Sequence, residues 1–312
     1  MSLALLFPGQ GSQHSGMGKA LWDRFPEARA AFAEADAALG FPLSELCFSG
    51  SDGELARTEN TQPAILASSV AAWRVLEAGG LRAGAVAGHS LGEYSALVAA
   101  GALRLGDAVV LVRQRGRFMQ EAVPEGVGAM AAVLGLPRAT VETLCREHAQ
   151  GEVVSAANLN GPDQVVIAGH AAAVARVVER AREAGAKRAV PLPVSAPFHC
   201  ALMEPAAERL APLLQATPFA DPRVPVYTNV DASPVTTGAA AREALLRQVA
   251  SPVRWEEEVA AMAGEGFLRY LEVGPGKVLS GLVRRIRKDL AVLPAGEPEG
   301  IEAALRQEVG AG

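Results

Sequence analysis

The pentapeptide at residues 88–92, Gly-His-Ser-Leu-Gly, carries a serine with a glycine two positions away on either side. This G-x-S-x-G spacing is typical of a sharp turn from a strand to a helix, because the glycines prevent a collision across the turn while the serine oxygen projects into a cleft. Small apolar residues precede the pentapeptide and a helix-forming run follows it. The pattern predicts a nucleophile at Ser90; the alternative is a glycine-rich loop that Ser90 caps.

A serine hydroxyl is a weak nucleophile and needs a general base. His199 lies in a proline-bounded loop that can hold its side chain at a cleft, and we predict it to be the base. Two aspartates between Ser90 and His199, Asp107 and Asp163, are predicted to lie at a helix cap and in a turn, so neither is placed like a triad acid. The pattern favours a Ser–His pair oriented by a neutral group. The other histidines, which are less suitably placed, are His14, His89, His148 and His170.

A second glycine-flanked turn, residues 8–13, follows the first predicted strand. It lacks the third glycine of a dinucleotide-binding fingerprint. Because such a turn can offer a backbone N–H to an oxyanion, we predict that the N–H groups of Gln10 and Leu91 form an oxyanion hole. A tight turn without this function is the alternative. Residues 274–277 resemble part of a phosphate-binding loop, but position 271 is a leucine and position 278 a valine, where that loop needs a glycine and a hydroxyl residue.

Arginines alternate along a predicted helix at Arg113, Arg115 and Arg117. If Arg115 faces the cleft, its planar guanidinium can bind a carboxylate through two parallel hydrogen bonds. The alternative is a solvated helix face. A denser basic cluster either complements the C-terminal end of a helix or docks an acidic partner. Its members are Arg284, Arg285, Arg287 and Lys288.

Composition excludes several classes of protein. The 312 residues include 29 basic and 34 acidic side chains, a net charge of −5, which argues against general nucleic-acid binding. No apolar run approaches the ~20 residues of a membrane helix, and no Cys or His pair has metal-binding spacing. Three widely spaced cysteines, Cys47, Cys145 and Cys200, do not form a disulfide framework. We therefore expect a cytoplasmic protein without a metal site.

Strand and helix patterns alternate along the chain and predict an α/β fold with a mainly parallel sheet covered on both faces. Strands are predicted at residues 3–7, 224–229 and 267–272 and in the small-residue run 83–88. Helical patterns cover residues 18–40, 64–77, 93–100, 105–121, 239–249 and 276–287. The helix at residues 64–77 is expected to have Pro63 near its first turn.

The pattern changes near residues 126–128. Strands are predicted at residues 129–134, 153–157, 164–168 and 188–191, with helices at residues 137–148 and 171–184. This β-α-β-β-α-β order matches the ferredoxin-like split unit. We therefore expect an α/β core formed by residues 1–126 and 195–312, into which residues 127–194 are inserted as a small ferredoxin-like α+β subdomain.

Seven separate motifs together give a family resemblance that covers nearly the whole chain. In chain order they are residues 8–13 (PGQGSQ), 61–63 (TQP), 88–94 (GHSLGEY), 115–119 (RGRFM), 195–200 (SAPFHC), 248–255 (QVASPVRW) and 272–276 (EVGPG). The set resembles the malonyl-CoA:acyl carrier protein transacylases of bacterial type II fatty acid synthesis. The resemblance implies a hydrolase-like α/β core with a ferredoxin-like insert.

The resemblance also implies roles for individual residues. Ser90 corresponds to the acyl-carrying nucleophile and His199 to its base. Gln248 corresponds to the residue whose backbone carbonyl orients that histidine, and Gln10 and Leu91 to the oxyanion donors.

Further correspondences concern the substrate pocket. Arg115 matches the residue that pairs with the malonyl carboxylate, and Met119, Asn160 and Val194 match positions in the pocket wall. The residue before the histidine, Phe198, resembles the one in malonyl-selective acyltransferase domains of polyketide synthases. An aromatic side chain at this position would crowd the α-methyl group of methylmalonate.

The implied activity is a ping-pong transfer of a malonyl group from CoA to the phosphopantetheine thiol of an acidic acyl carrier protein, through a malonyl-serine. Lys187, Arg188 and the cluster at residues 284–288 are alternative docking sites for that carrier. We expect a monomer that needs no cofactor of its own and binds neither nucleic acid nor membrane. The alternatives are a serine esterase or thioesterase, which needs an acid behind His199, and a non-catalytic acyl-binding module or accessory subunit.

Overall fold

The structure is a computed structural model that describes residues 2–194 and 196–310. Ser195, the first residue of the predicted second core segment, lies outside the described residues, as do the first residue and the last two. Within the described ranges, no helix has the length and apolar character needed to cross a membrane.

The strands of the described residues form two separate sheets. In chain order they are β1 (Ser2–Phe7), β2 (Ala85–Gly88), β3 (Gly128–Leu134), β4 (Val154–Gly161), β5 (Gln164–His170), β6 (Arg188–Pro191), β7 (Val226–Tyr227), β8 (Pro234–Val235), β9 (Phe267–Glu272) and β10 (Ala291–Pro294).

Helices surround both sheets. In chain order they are α1 (Lys19–Arg24), α2 (Pro26–Leu39), α3 (Leu43–Ser49), α4 (Asp52–Ala56), α5 (Thr58–Ala78), α6 (Gly92–Ala99), α7 (Leu105–Glu121), α8 (Arg138–His148), α9 (Ala171–Glu183), α10 (Glu204–Ala216), α11 (Gly238–Gln248), α12 (Trp255–Gly264), α13 (Val278–Ile286) and α14 (Pro298–Glu308).

The larger sheet has six strands in the order β10-β9-β1-β2-β7-β8, and only β8 pairs antiparallel to its neighbour. Side chains of β1 alternate between two hydrophobic clusters: Leu5 and Phe7 pack in one, and Ala4 and Leu6 in the other. Both faces of β1 are therefore buried, which confirms the predicted mainly parallel sheet covered on both sides.

The smaller sheet is antiparallel and has the order β4-β5-β3-β6. The predicted β-α-β-β-α-β element order is confirmed for residues 128–191. Along β3, Ala131 and Val133 pack in a cluster with residues of α8 and α9, whereas Met130 and Ala132 belong to the core of the larger unit. Because side chains of a strand alternate between faces, one face of this sheet turns toward the parallel sheet.

Two helix predictions were wrong, one at its N-terminal end and one in its middle. The helix predicted at residues 64–77 begins at Thr58, so Pro63 lies inside α5 rather than near its first turn. The carbonyl of Arg57 accepts the N–H groups of Asn60 and Thr61, which starts the helix before the proline. The continuous pattern at residues 18–40 forms two helices, because Phe25 is extended ahead of Pro26.

Other boundaries also differ from the prediction. The strand predicted at residues 224–229 is reduced to Val226–Tyr227, and Asn229 leaves the ladder. The strand predicted at residues 153–157 extends to Gly161. Local sequence patterns do not predict several of the observed elements, among them β8, β10, α10, α12 and α14.

Candidate active site

The nucleophile turn, residues 88–92, joins the end of β2 to the start of α6. Ser90 has a φ of 53°, a left-handed conformation that is unusual for a residue with a side chain. A Cβ atom on Gly88 would lie 2.0 Å from the backbone of Gly92, and one on Gly92 would lie 2.0 Å from the carbonyl oxygen of Phe7. Both glycines are therefore sterically required.

The side chains of Ser90 and His199 meet, although 109 residues separate them: Oγ lies 2.7 Å from Nε2. The other ring nitrogen, Nδ1, lies 3.1 Å from the carbonyl oxygens of both Gln248 and Ser251. Because a carbonyl only accepts hydrogen bonds, Nδ1 carries the proton and Nε2 is free to accept the Ser90 hydroxyl proton. The structure thus places a neutral group behind His199, as the sequence pattern predicts, and adds Ser251, which sequence reasoning missed.

The electrostatic environment keeps the imidazole neutral. Burial and, after it, the neighbouring cation of Arg115 together lower the pKa of His199 to about 3, against the raising effect of the Gln248 carbonyl. A neutral imidazole is the form that can accept a proton.

Arg115, on α7, is fully buried and faces the nucleophile. Its Nη2 donates to Ser90 Oγ at 3.0 Å and to Gln248 Oε1 at 2.9 Å, and its Nη1 donates to Gln62 Oε1 at 2.8 Å. Its Nε has no hydrogen-bond partner among the described residues. Burial lowers the pKa of Arg115, yet a guanidinium remains a cation in proteins.

The neighbouring arginines of α7 point elsewhere. The guanidinium of Arg113 stacks on Phe41 at 4.1 Å, and exposed Arg117 pairs with Glu121 one helical turn away. The solvated-face alternative therefore applies to Arg117, whereas Arg115 is directed inward.

The glycine-flanked turn at residues 8–13 lies against the nucleophile turn. A Cβ atom on Gly9 would be 2.4 Å from the carbonyl oxygen of His89, so the two backbones approach as closely as glycine allows. Gln10 and Leu91 line the same pocket as Ser90. The structure thereby brings together the two residues whose N–H groups are predicted to form the oxyanion hole.

The pocket lies between the parallel sheet and the inward face of the antiparallel sheet. The other predicted substrate residues that line it are Met119, Asn160, Val194 and Phe198. Oδ1 of Asn160 accepts a hydrogen bond from Nε2 of His89 at 2.8 Å, which fixes the two side chains against each other. Leu279 and Leu282 of α13 add an apolar wall.

The remaining sequence candidates lie outside this pocket. His170 contacts the backbone N–H of Val153 through Nδ1, and His14 contacts the carbonyl of Ser12. Residues 274–277 lead into α13, whose N–H groups at Leu279 and Ser280 are accepted by the buried Glu272 carboxylate. In the part of the chain that the structure describes, no three His, Cys, Asp or Glu side chains are grouped to hold a metal.

Sequence reasoning missed a buried polar network beneath the nucleophile turn. Its members are Glu93, Asn229, Gln248 and Glu258, all without significant solvent exposure. Burial raises the pKa of Glu93 to about 7, and burial followed by the nearby Glu93 raises the pKa of Glu258 well above its ordinary value. The available signal was Asn229, a polar residue at the carboxyl end of a predicted strand.

Comparison with known proteins shows which family and relatives this chain resembles. The acyl transferase domain family matches residues 4–300. Malonyl CoA-acyl carrier protein transacylase of Salmonella typhimurium is 52% identical over 305 residues, covering 97% of this chain and 99% of that protein. The protein of the same name from Bacillus subtilis strain 168 is 49% identical over 305 residues, covering 97% and 96%.

Solved structures agree with these matches. The malonyl CoA-acyl carrier protein transacylase of Coxiella burnetii is 44% identical and superposes with a TM-score of 0.97 over 99% of this chain and 98% of that one. A malonyl-transacylase solved in complex with its type II PKS acyl-carrier protein is 47% identical, with a TM-score of 0.96 over 98% of this chain and all of that one.

Proposed function

Because this chain belongs to the malonyl CoA-acyl carrier protein transacylase family, we propose that it moves a malonyl group from CoA to the thiol of an acyl carrier protein. The chain is an acyltransferase. The observation that carries the proposal is the 2.7 Å contact between Ser90 Oγ and His199 Nε2, with Arg115 Nη2 3.0 Å from the same oxygen.

In the proposed first half-reaction, Ser90 Oγ attacks the thioester carbonyl carbon while its proton passes to Nε2 of His199. A C–O bond forms, and the carbonyl electrons move onto oxygen, where the N–H groups of Gln10 and Leu91 stabilise the charge. When the tetrahedral intermediate collapses, the C–S bond breaks. The CoA sulfur takes the proton from His199 and leaves as a thiol.

In the proposed second half-reaction, the phosphopantetheine thiol of the carrier gives its proton to His199 and attacks the malonyl-serine. The C–S bond forms, the C–O bond breaks, and Ser90 recovers its proton. The same groups serve both directions. Phosphopantetheine belongs to the carrier and the CoA thioester is consumed, so we propose that the chain needs no cofactor of its own.

Arg115 is the proposed partner of the malonyl carboxylate. Its buried guanidinium lies beside the nucleophile, where low solvent exposure strengthens a charge pair. Phe198 lines the same pocket and is the proposed steric element against an α-methyl substituent. We propose malonyl over acetyl selectivity from charge, and malonyl over methylmalonyl selectivity from shape.

The contacts of His199 favour transfer over the esterase alternative. An esterase of the triad type needs a carboxylate at Nδ1, whereas the carbonyls of Gln248 and Ser251 occupy that side here.

The acyl carrier protein is the proposed partner, and we propose that basic residues at the C-terminal end of α13 receive an acidic carrier. Arg285 bonds to Gln164, which lines the pocket, and Leu279 and Leu282 of the same helix form part of its wall. This cluster is therefore adjacent to the reaction centre, which supports it over Lys187 and Arg188. Charge reversal at Arg285 should raise KM for the carrier and leave KM for malonyl-CoA nearly unchanged.

Several finer assignments remain proposals. We propose a hydrolase-like core of residues 1–126 and 195–312 with a ferredoxin-like insert at residues 127–194; the strand order β4-β5-β3-β6 with α8 and α9 supports the insert. We also propose a monomer that acts in the cytoplasm in fatty acid synthesis, with a polyketide pathway as the alternative.

Intact-mass spectrometry after incubation with malonyl-CoA tests the proposed function. The wild-type chain should gain the mass of one malonyl group and lose it when carrier protein is added. Ser90→Ala should gain nothing. Rapid release of free malonate without carrier would support the esterase, and an unmodified wild-type chain would support the non-catalytic alternative.

A further inference from the structure

Asn229 lies directly beneath the nucleophile turn. It follows β7, which pairs in parallel with β2, and the ladder between them ends at Ala87 and Tyr227. Ser90 follows the end of β2 in the same way. Because the carboxyl ends of neighbouring parallel strands lie at one edge of a sheet, two residues 139 positions apart become neighbours.

The side-chain amide of Asn229 binds both ends of the bend. Its Oδ1 accepts the N–H of Ser90 at 2.7 Å, and its Nδ2 donates to the carbonyl oxygen of Gly88, also at 2.7 Å. These two backbone groups turn away from the ladder where the chain bends. The amide therefore replaces the strand partner that the turn has lost, and only a group with both a donor and an acceptor can do so.

The orientation of this amide is fixed by the buried network around it. Glu258 Oε2 accepts the second hydrogen of Nδ2 at 2.9 Å, and Gln248 Nε2 lies 3.3 Å from Oδ1. Rotating the amide by half a turn would set Nδ2 against the N–H of Ser90 and Oδ1 against two acceptors. Glu93 Oε2 accepts the backbone N–H of Asn229 at 3.0 Å and holds the residue from the other side.

The turn that this amide holds is strained. A non-glycine residue at a φ of 53° persists only where its surroundings determine its conformation. The contacts of Ser90 Oγ with His199 and Arg115 both depend on that conformation.

We propose that Asn229 is a positioning residue of the proposed transfer reaction: its amide bridges Gly88 and Ser90 and so holds the nucleophile within reach of its base. The inference rests on the proposed function. Asn229 does not line the pocket, so its loss should slow acylation of Ser90 without weakening malonyl-CoA binding. A displacement of about 1 Å in a reacting group costs about 100-fold in rate.

The test variant is Asn229→Asp, which keeps the size and the acceptor of the side chain but loses both Nδ2 donors. Asn60→Asp is the matched control, since Asn60 Nδ2 also donates to a backbone carbonyl but lies outside the pocket. Single-turnover acylation by malonyl-CoA is followed by intact mass. Binding of malonyl-CoA is measured by calorimetry with Ser90→Ala and with the double variant Ser90→Ala/Asn229→Asp.

We expect the acylation rate constant of Asn229→Asp to fall about 100-fold, whereas Asn60→Asp should keep the wild-type rate constant. The final amplitude of acylation should be complete. The Kd for malonyl-CoA of the double variant should lie within about threefold of that of Ser90→Ala. A merely structural role would instead lower the amplitude, through loss of folded protein, and leave the rate constant of the remaining fraction unchanged. That result, or an unchanged rate, would overturn the inference.

Asn229→Ser, which keeps one donor and one acceptor, is the second test variant. If Asn229→Asp folds, the acylation rate constant of Asn229→Ser should lie between those of the wild type and Asn229→Asp. If Asn229→Asp does not fold, the rate constant of Asn229→Ser should be about tenfold or more below that of the wild type. If neither variant folds, the role is structural and the inference is wrong. A wild-type chain that malonyl-CoA does not modify would instead refute the proposed function itself.

Discussion

Replacing Arg115 with alanine should separate the recognition of malonyl-CoA from that of acetyl-CoA. The two substrates differ by one carboxylate, and Arg115 is the buried cation beside the nucleophile. Both substrates present the same thioester to Ser90. Any effect of the substitution that depends on the carboxylate will therefore appear only with malonyl-CoA.

The size of the effect follows from burial. Removing one partner of a buried ion pair costs about 3–5 kcal/mol, so kcat/KM for malonyl-CoA should fall between about 150-fold and about 5,000-fold. With acetyl-CoA, the reacting groups lose only the hydrogen bond from Arg115 to Ser90 Oγ, because the other partners of Arg115, Gln248 and Gln62, are not the nucleophile. The net effect is about 1 kcal/mol or about fivefold. The malonyl-to-acetyl preference should therefore fall by at least about 30-fold.

The assay measures kcat/KM for transfer of each acyl group from CoA to carrier protein. Arg117→Ala is the matched control, because Arg117 lies on the same helix but pairs with Glu121 at the surface. It should leave the preference unchanged. Arg115→Lys keeps the charge without the planar fork, so it should give an intermediate preference.

Equal losses for the two substrates would refute the reasoning. That outcome would mean that Arg115 acts on Ser90 and Gln248 alone, through the hydrogen bonds seen in the structure, and that the malonyl carboxylate binds elsewhere.

Three further outcomes are expected. Because burial and the Arg115 cation lower the pKa of His199 to about 3, the base should stay neutral as pH falls, and the serine malonylation rate should hold down to about pH 5; an acid limb centred near 6.5 would contradict this. Gly92→Ala should fail to fold or should melt at a much lower temperature than the wild type, because its Cβ would lie 2.0 Å from the Phe7 carbonyl oxygen. Gly281→Ala has open space around its Cβ and should keep the wild-type melting temperature. Phe198→Ala should raise methylmalonyl over malonyl transfer by about 10-fold to about 100-fold, and an unchanged ratio would exclude Phe198 as the steric element.

Much of the fold could be predicted from local patterns. The helix at residues 105–121 and the strands at residues 188–191 and 267–272 have the bounds that the periodicity predicts. These elements depend on side-chain spacing within one segment. Two predictions failed for different reasons. Pro63 lies inside α5 because hydrogen bonds to the Arg57 carbonyl start that helix before the proline. The predicted strand at residues 224–229 keeps only two residues paired with neighbouring strands, which a local pattern cannot show.

The nucleophile turn shows the same division within the candidate site. The spacing of Gly88, Ser90 and Gly92 predicts a tight bend, because steric limits act among residues a few positions apart. That Ser90 would meet His199 was a hypothesis, based on residue types and on a family resemblance. The catalytic roles of these residues stay proposals that the experiments above test.

Sequence by itself determined the alternation of strands and helices, the sharp bend and the residue types that can carry an acyl group. Only the tertiary structure decided which buried groups support them: Asn229 beneath Ser90, Ser251 beside Gln248, and the side chain of Gln248 against Arg115. Such contacts join residues more than 50 positions apart or depend on where a loop returns. They are set by the strand order of the sheet and by the need to pair every buried polar group, neither of which leaves a local pattern in the chain.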